Sequence, residues 1–179
     1  MPRRFPYPIA LVGLVAGCIM HNSVTPDAAK SGTDIVRDQA HGLVYVRGPT
    51  LGESGMGGSQ SRQLVTALDT HGEITDSWID YLESAQGPHT SYSAATDETG
   101  HPLKVEKLDR ERGTRETYPS EEVAVYLPTG YVREHLHDPI AVRLDGRRGY
   151  TDLTFGSTYV QGYWSKLLMA QACVKDGSC

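Results

Sequence analysis

His135-Leu136-His137-Asp138 is the run in this sequence whose residue types best suit a metal ion. Imidazole nitrogens and carboxylate oxygens are zinc ligands. On a strand, His135 and His137 would share a face. On a helix they lie ~200° apart and cannot converge on one ion. The preceding residues read as a short helix that begins near Thr129 and ends at Asp138-Pro139. A His-x-His-x-Asp-His pattern is also broken, because Asp138 follows His137 directly. His135 and His137 therefore stay weak metal candidates, and no cofactor or catalytic residue is expected.

Gly52-Glu-Ser-Gly-Met-Gly-Gly-Ser59 could be taken for a phosphate cradle or a nucleophile turn. A phosphate loop ends in Gly-Lys-Ser/Thr, but Gly58 is followed by Ser59-Gln60. A nucleophile turn needs glycine two residues after its serine, and Ser54 has Met56 there. The run reads as a mobile surface loop. Asp109, Glu111, Glu121 and Glu122 could supply a carboxylate pair, but their spacing selects none. Arg147 and Arg148 on a hairpin tip, together with Trp164, are candidate partner contacts, since arginine and tryptophan dominate interface energetics.

The elements that must hold these residues are mostly strands. Leu43–Val46, Gln63–Asp69 and Ile74–Leu82 alternate or run apolar between turn signals. Thr90–Ala95 and Leu103–Leu108 flank Asp97-Glu98-Thr99-Gly100 as a hairpin. The alternating charges of Lys104–Glu116 read as a solvated edge strand and loop. Val123, Val125 and Leu127 share one strand face, as do Ile140, Val142 and Leu144. Thr151, Leu153 and Phe155 form a return strand after Gly146-Arg147-Arg148-Gly149. Ser157–Ala172 follows an i, i+3, i+4, i+7 stripe through Val160, Tyr163, Trp164, Leu167, Leu168 and Gln171. Trp164 reads as its core anchor, and Thr158 with Gln161 as a capping box. Val125–Val132 faintly echoes Leu153–Val160 as strand, break, then Tyr-Val. The fold class is a β-rich α+β domain, with antiparallel hairpins and one C-terminal amphipathic helix packed on the sheet.

Composition narrows the partners. The formal net charge is −5. An acidic surface argues against nucleic acid, which needs clustered cations. Ten tyrosines stand against two phenylalanines. Tyrosine suits half-buried strands, with an apolar ring and a wet hydroxyl.

The amino terminus carries a separate signal. Arg3 and Arg4 precede an apolar run from Ile9 to Ala16, shorter than the ~20 residues that a membrane span needs. Leu14-Val15-Ala16-Gly17-Cys18 resembles the lipobox of bacterial lipoprotein precursors. The resemblance implies a signal peptide over 1–17 and acylation of Cys18. Each buried methylene contributes ~0.8 kcal/mol, so two or three chains anchor firmly. Ile19, in place of aspartate, implies an outer-membrane destination facing the periplasm. A flexible tether is expected over 18–40, with a short helix conceivable around Asp34–Gln39, and one globular domain over 41–179. In an oxidising periplasm Cys173 and Cys179 should pair, worth about 2 kcal/mol at most for so short a loop. The expected function is a non-enzymatic binding or structural module with a lipid bilayer and an envelope protein as partners. The alternatives are an inhibitor or immunity protein against a cell-wall hydrolase or toxin, and an envelope enzyme with a metal or hydrolase site.

Overall fold

Period-two alternation decides which residues meet inside this molecule. Leu64, Thr66 and Leu68 point one way along a strand, as do Ile79 with Tyr81 and Val123 with Val125, and all are buried. The computed structural model describes residues 24–55, 58–85, 90–111 and 119–178. Cys18, the signal segment 1–17 and Cys179 lie outside the described residues.

The chain opens with α1 (Pro26–Ser31), β1 (Asp34–Asp38), β2 (Leu43–Arg47), β3 (Leu51–Gly55) and β4 (Gly58–Leu68). It continues through β5 (Ile74–Ala85), β6 (Tyr92–Asp97), β7 (Pro102–Glu111) and β8 (Ser120–Leu127). α2 (Tyr131–Glu134), β9 (Ile140–Gly146), β10 (Gly149–Phe155) and α3 (Ser157–Lys175) complete it. The strands form one antiparallel sheet in the order β1-β2-β4-β5-β8-β7-β6-β9-β10, with β3 pairing β4 beside that path. The sheet curls into a half-barrel accompanied by the C-terminal helix.

Polar tyrosine tips fix α3. The Tyr159 hydroxyl donates to the Pro49 carbonyl at 2.8 Å. The fully buried Tyr163 hydroxyl lies 3.1 Å from the Val46 carbonyl and 2.8 Å from Thr66 Oγ1. Thr66 in turn meets Ser77 Oγ at 2.9 Å. These bonds satisfy buried polar atoms inside an otherwise apolar cluster.

Several expectations need correction. The 18–40 tether does not extend past Val24. Residues 26–31 form α1, with Pro26 in its first turn and the Thr25 hydroxyl accepting from Ala28 N at 3.2 Å. α1 packs on α3 where Ala29 meets Gly162, at a place with no room for a side chain on that glycine. Asp34–Asp38 is a strand rather than a helix, paired with β2 from Asp34↔Arg47 to Asp38↔Leu43. Such a short helix buries only Ala29, too little to leave a periodic signal. The glycine-rich run is not a free loop either. Its ends are β3 and β4, paired from Leu51↔Arg62 to Gly55↔Gly58.

The charged strand β7 lies between β8 and β6, so it is not an edge in strand order. Its ladder to β6 is nevertheless brief, Ala95↔Leu103 and Thr96↔Pro102. The alternating charges beyond Leu103 have solvent on their outward side. Gly130, not Thr129, is the N-cap of α2, and Gly156 caps α3 without a side-chain bond. Thr158 donates instead to the Val24 carbonyl at 2.7 Å, and Gln161 to the Leu136 carbonyl at 2.9 Å. Tertiary acceptors thus replace the capping box. On α3 the buried line runs through Tyr159, Tyr163, Leu167 and Ala170, while Leu168 is 48% exposed. Trp164 is only half-buried, beside Ile74, Pro128 and Val132, so it is not the deep anchor. The strand-to-helix echo is real geometry: β8 leads to α2 and β10 to α3.

Candidate functional site

The inward series of β5 and β8 does not stop where apolar residues do. On β5, Ile79 and Tyr81 are followed on the same face by Glu83. On β8, Val125 and Val123 are preceded on the same face by Glu121. The register sets Glu83 directly opposite Glu121. Directly opposed side chains in an antiparallel pair start from Cβ atoms ~4.5–5.5 Å apart, and like charges there repel.

Each carboxylate has a different environment. Glu121 is 1% exposed. Its Oε2 accepts the Ser91 backbone N–H at 2.8 Å, and Lys107 Nζ stands 3.6 Å from Oε1. Ser91 holds a φ of 56°, unusual for a residue with a side chain. Glu83 Oε1 accepts the Tyr92 hydroxyl at 3.3 Å. Glu83 Oε2 and Glu121 Oε1 are buried and accept no hydrogen bond within the protein.

Tyrosine and glutamine link this pair to its surroundings. The Tyr81 and Tyr92 rings meet edge-on with centroids 5.4 Å apart. The Tyr81 hydroxyl donates to Gln60 Oε1 at 3.1 Å, and Gln60 Nε2 donates to Glu53 Oε2 at 3.3 Å. Burial is the main cause that pushes both phenols above their ordinary pKa. They therefore stay protonated, as donors, across the physiological range.

A cleft of about 350 Å³ opens beside Glu83, between the β3–β4 hairpin and the end of β5. Glu53, Ser54, Gln60, Glu83 and Ser84 line it with small and glycine residues. Gly58 makes this possible. Its φ is 141°, and a Cβ there would strike the Ser84 carbonyl. Glycine lets the hairpin lie this close to β5.

The other end of β8 carries a contrasting cluster. His135 caps α2, with Nδ1 2.8 Å from the Tyr131 carbonyl and Nε2 2.8 Å from Glu98 Oε1. The Tyr131 hydroxyl donates to Glu98 Oε2, and the Tyr131 and His135 rings stack with centroids 4.1 Å apart. Both histidine nitrogens face acceptors, so the imidazolium satisfies both. Burial opposes that charge, but the Glu98 bond, the Tyr131 carbonyl and nearby carboxylates outweigh it, and the His135 pKa rises. Burial likewise opposes the Glu98 charge, but the bonds from Tyr131 and His135 outweigh it, and its pKa falls.

The structure does not bring His135 and His137 together on one ion: His135 is engaged as above, and His137 is exposed. Among the described residues no three His, Cys, Asp or Glu side chains gather as a metal site. Arg147 and Arg148 are exposed at the β9–β10 turn, at the same end as Tyr92, which pairs with Gly146. Half-buried Trp164 belongs to a different groove, against Pro128 and Thr129. Of the carboxylates named from the sequence, only Glu121 joins the cleft cluster, and its partner Glu83 was missed. The side chains of Asp109 and Glu111 lie outside the described ones. Carrying the inward parity of Ile79 and Tyr81 two residues further would have found Glu83. No protein-family model matches this chain, and neither a curated protein nor a solved structure is significantly similar to it.

Proposed function

We propose that the chain is a lipoprotein of the bacterial envelope, held by acylated Cys18 at the periplasmic side of the outer membrane. Its half-barrel is a non-enzymatic binding module whose ligand seat is the cleft between the β3–β4 hairpin and β5. One observation supports the seat above others: Glu83, on the cleft wall, keeps a buried oxygen without a hydrogen-bond partner. Folded proteins pair nearly all buried polar atoms, so such an orphan at a cleft marks a group kept for something else.

The anchor reading rests on the order of charge, apolar run, small residues and Cys18. Val24 already belongs to the domain, through its carbonyl bond to Thr158. The step from Cys18 to Val24 spans about 20 Å at full extension, so α1 and the start of α3 stay near the bilayer. In this reading α3 plugs the half-barrel with its apolar face. A Cys173–Cys179 disulfide closes the end of the chain. It is favoured by a left-handed Gly177 and by the Ser178 N–H returning to the Cys173 carbonyl at 3.0 Å.

Metabolic labelling with palmitate tests the anchor. The parent should take up label and sediment with membranes, and Cys18→Ser should do neither. A Cys18→Ser product that still sediments with membranes as the parent does contradicts the anchor.

A further inference from the structure

We propose that the cleft beside Glu83 binds a primary ammonium group, carried by a free amine or by a lysine side chain. This deepens the binding reading above and rests on the cleft being a ligand seat.

The charge of the cleft points to a cation. Its described lining includes the carboxylates Glu53 and Glu83 and no Lys, Arg or His. Glu121 stands directly opposite Glu83 from the neighbouring strand, adding a second negative charge behind the wall. The single cation that reaches this pair, Lys107, stands against Glu121 at 3.6 Å. Glu83 has no ion-pair partner among the described residues, only the Tyr92 hydroxyl. A protein that places two like charges opposite one another gains when a cation enters between them.

The remaining chemistry selects the kind of cation. An ammonium has three N–H donors and no acceptor, so it needs several acceptors close together. Glu83 Oε2, Glu53 and the Ser54, Ser59 and Ser84 hydroxyls are acceptors along the same wall. Lys107 shows that an ammonium already suits the inner carboxylate. A hard metal ion needs more anionic oxygens converging on a point, and among the described residues three acidic side chains do not gather there. Small residues on the hairpin side, Gly55 and Gly58 among them, leave room for the chain that carries the ammonium.

The test is titration of the full chain in detergent, followed by the backbone amides of Ser54, Ser59 and Ser84. The probes are 1,5-diaminopentane, Nα-acetyl-lysine amide, 1,5-pentanediol and calcium chloride. The amines should shift these amides saturably, and the diol should not. Tighter binding of diaminopentane assigns a free amine, and tighter binding of the lysine amide a peptide side chain. Glu83→Gln should weaken amine binding at least tenfold. Glu53→Gln, at an exposed position, should weaken it several-fold, so the test does not depend on one variant folding. If the diol or calcium shifts the cleft amides as strongly as the amines, the ammonium assignment is overturned while the cleft remains a seat. If none of the probes moves them, both the assignment and the cleft reading are overturned.

Discussion

The two ends of β8 carry the same ingredients, buried or half-buried glutamates beside tyrosines, with opposite outcomes. At the α2 end, Glu98, Tyr131 and His135 satisfy one another. Both Glu98 oxygens and both His135 nitrogens have partners within hydrogen-bond distance. That cluster joins the β6–β7 turn to α2 and acts as a clasp. At the cleft end, Glu83 and Glu121 face each other, and each keeps one buried oxygen without a hydrogen bond. The comparison teaches that polarity alone does not mark a site. A closed network stabilises the fold, whereas an open one beside a cleft holds binding capacity that folding has not used.

The largest expected effect separates the two glutamates of the cleft. Glu121→Ala strands the Ser91 N–H and releases a residue held at positive φ, so it should cost about 2–3 kcal/mol in denaturant unfolding. A cost below about 0.5 kcal/mol would make Glu121 as dispensable as the comparison makes Glu83.

The clasp should respond to pH in a defined window. The raised His135 pKa gives a contribution fully present below about 6.5 and lost as pH rises through its folded value. The lowered Glu98 pKa gives one present above about 4.5 and lost as pH falls through its folded value. Stability from the clasp therefore peaks between these limits. Glu98 is about a third exposed, so the drop on alkaline titration should be about 1 kcal/mol or less. His135→Gln should flatten the alkaline side when melting temperature is followed from pH 6 to 9. An unchanged alkaline slope in that variant would assign the dependence to another group.

Tyr92→Phe should have the smallest effect, under about 1 kcal/mol, because it removes one long bond to Glu83. It should also tighten amine binding slightly, since Glu83 loses its only neutral donor. Weaker amine binding in Tyr92→Phe would place the hydroxyl in the seat itself.

The sequence made the hairpins legible and the site mostly not. Thr70-His71-Gly72 and the Gly146–Gly149 turn announced β4–β5 and β9–β10, and Gly72 and Gly149 do hold positive φ. Val123, Val125 and Leu127 showed their burial by alternation. α1 left no such trace, because a six-residue helix that buries one alanine has no stripe to read. Glycines 55 and 58 looked like loop residues because nothing local tells a tight hairpin from a free segment. The glutamate pair is a product of register. Glu121 was visible as one of several acids, but only strand pairing brings Glu83 opposite it. His135 was read as a helix-end cation, which it is. Its partner Glu98 lies in a distant turn that no periodicity connects to α2.

The most direct measurement compares the unfolding free energies of Glu83→Gln and Glu98→Gln near pH 6. The account predicts that Glu83→Gln is neutral or stabilising, because it relieves repulsion from Glu121, while Glu98→Gln loses about 1–2 kcal/mol by opening the clasp. If Glu83→Gln destabilises the protein as much as Glu98→Gln does, Glu83 belongs to the scaffold and the distinction between the two ends fails.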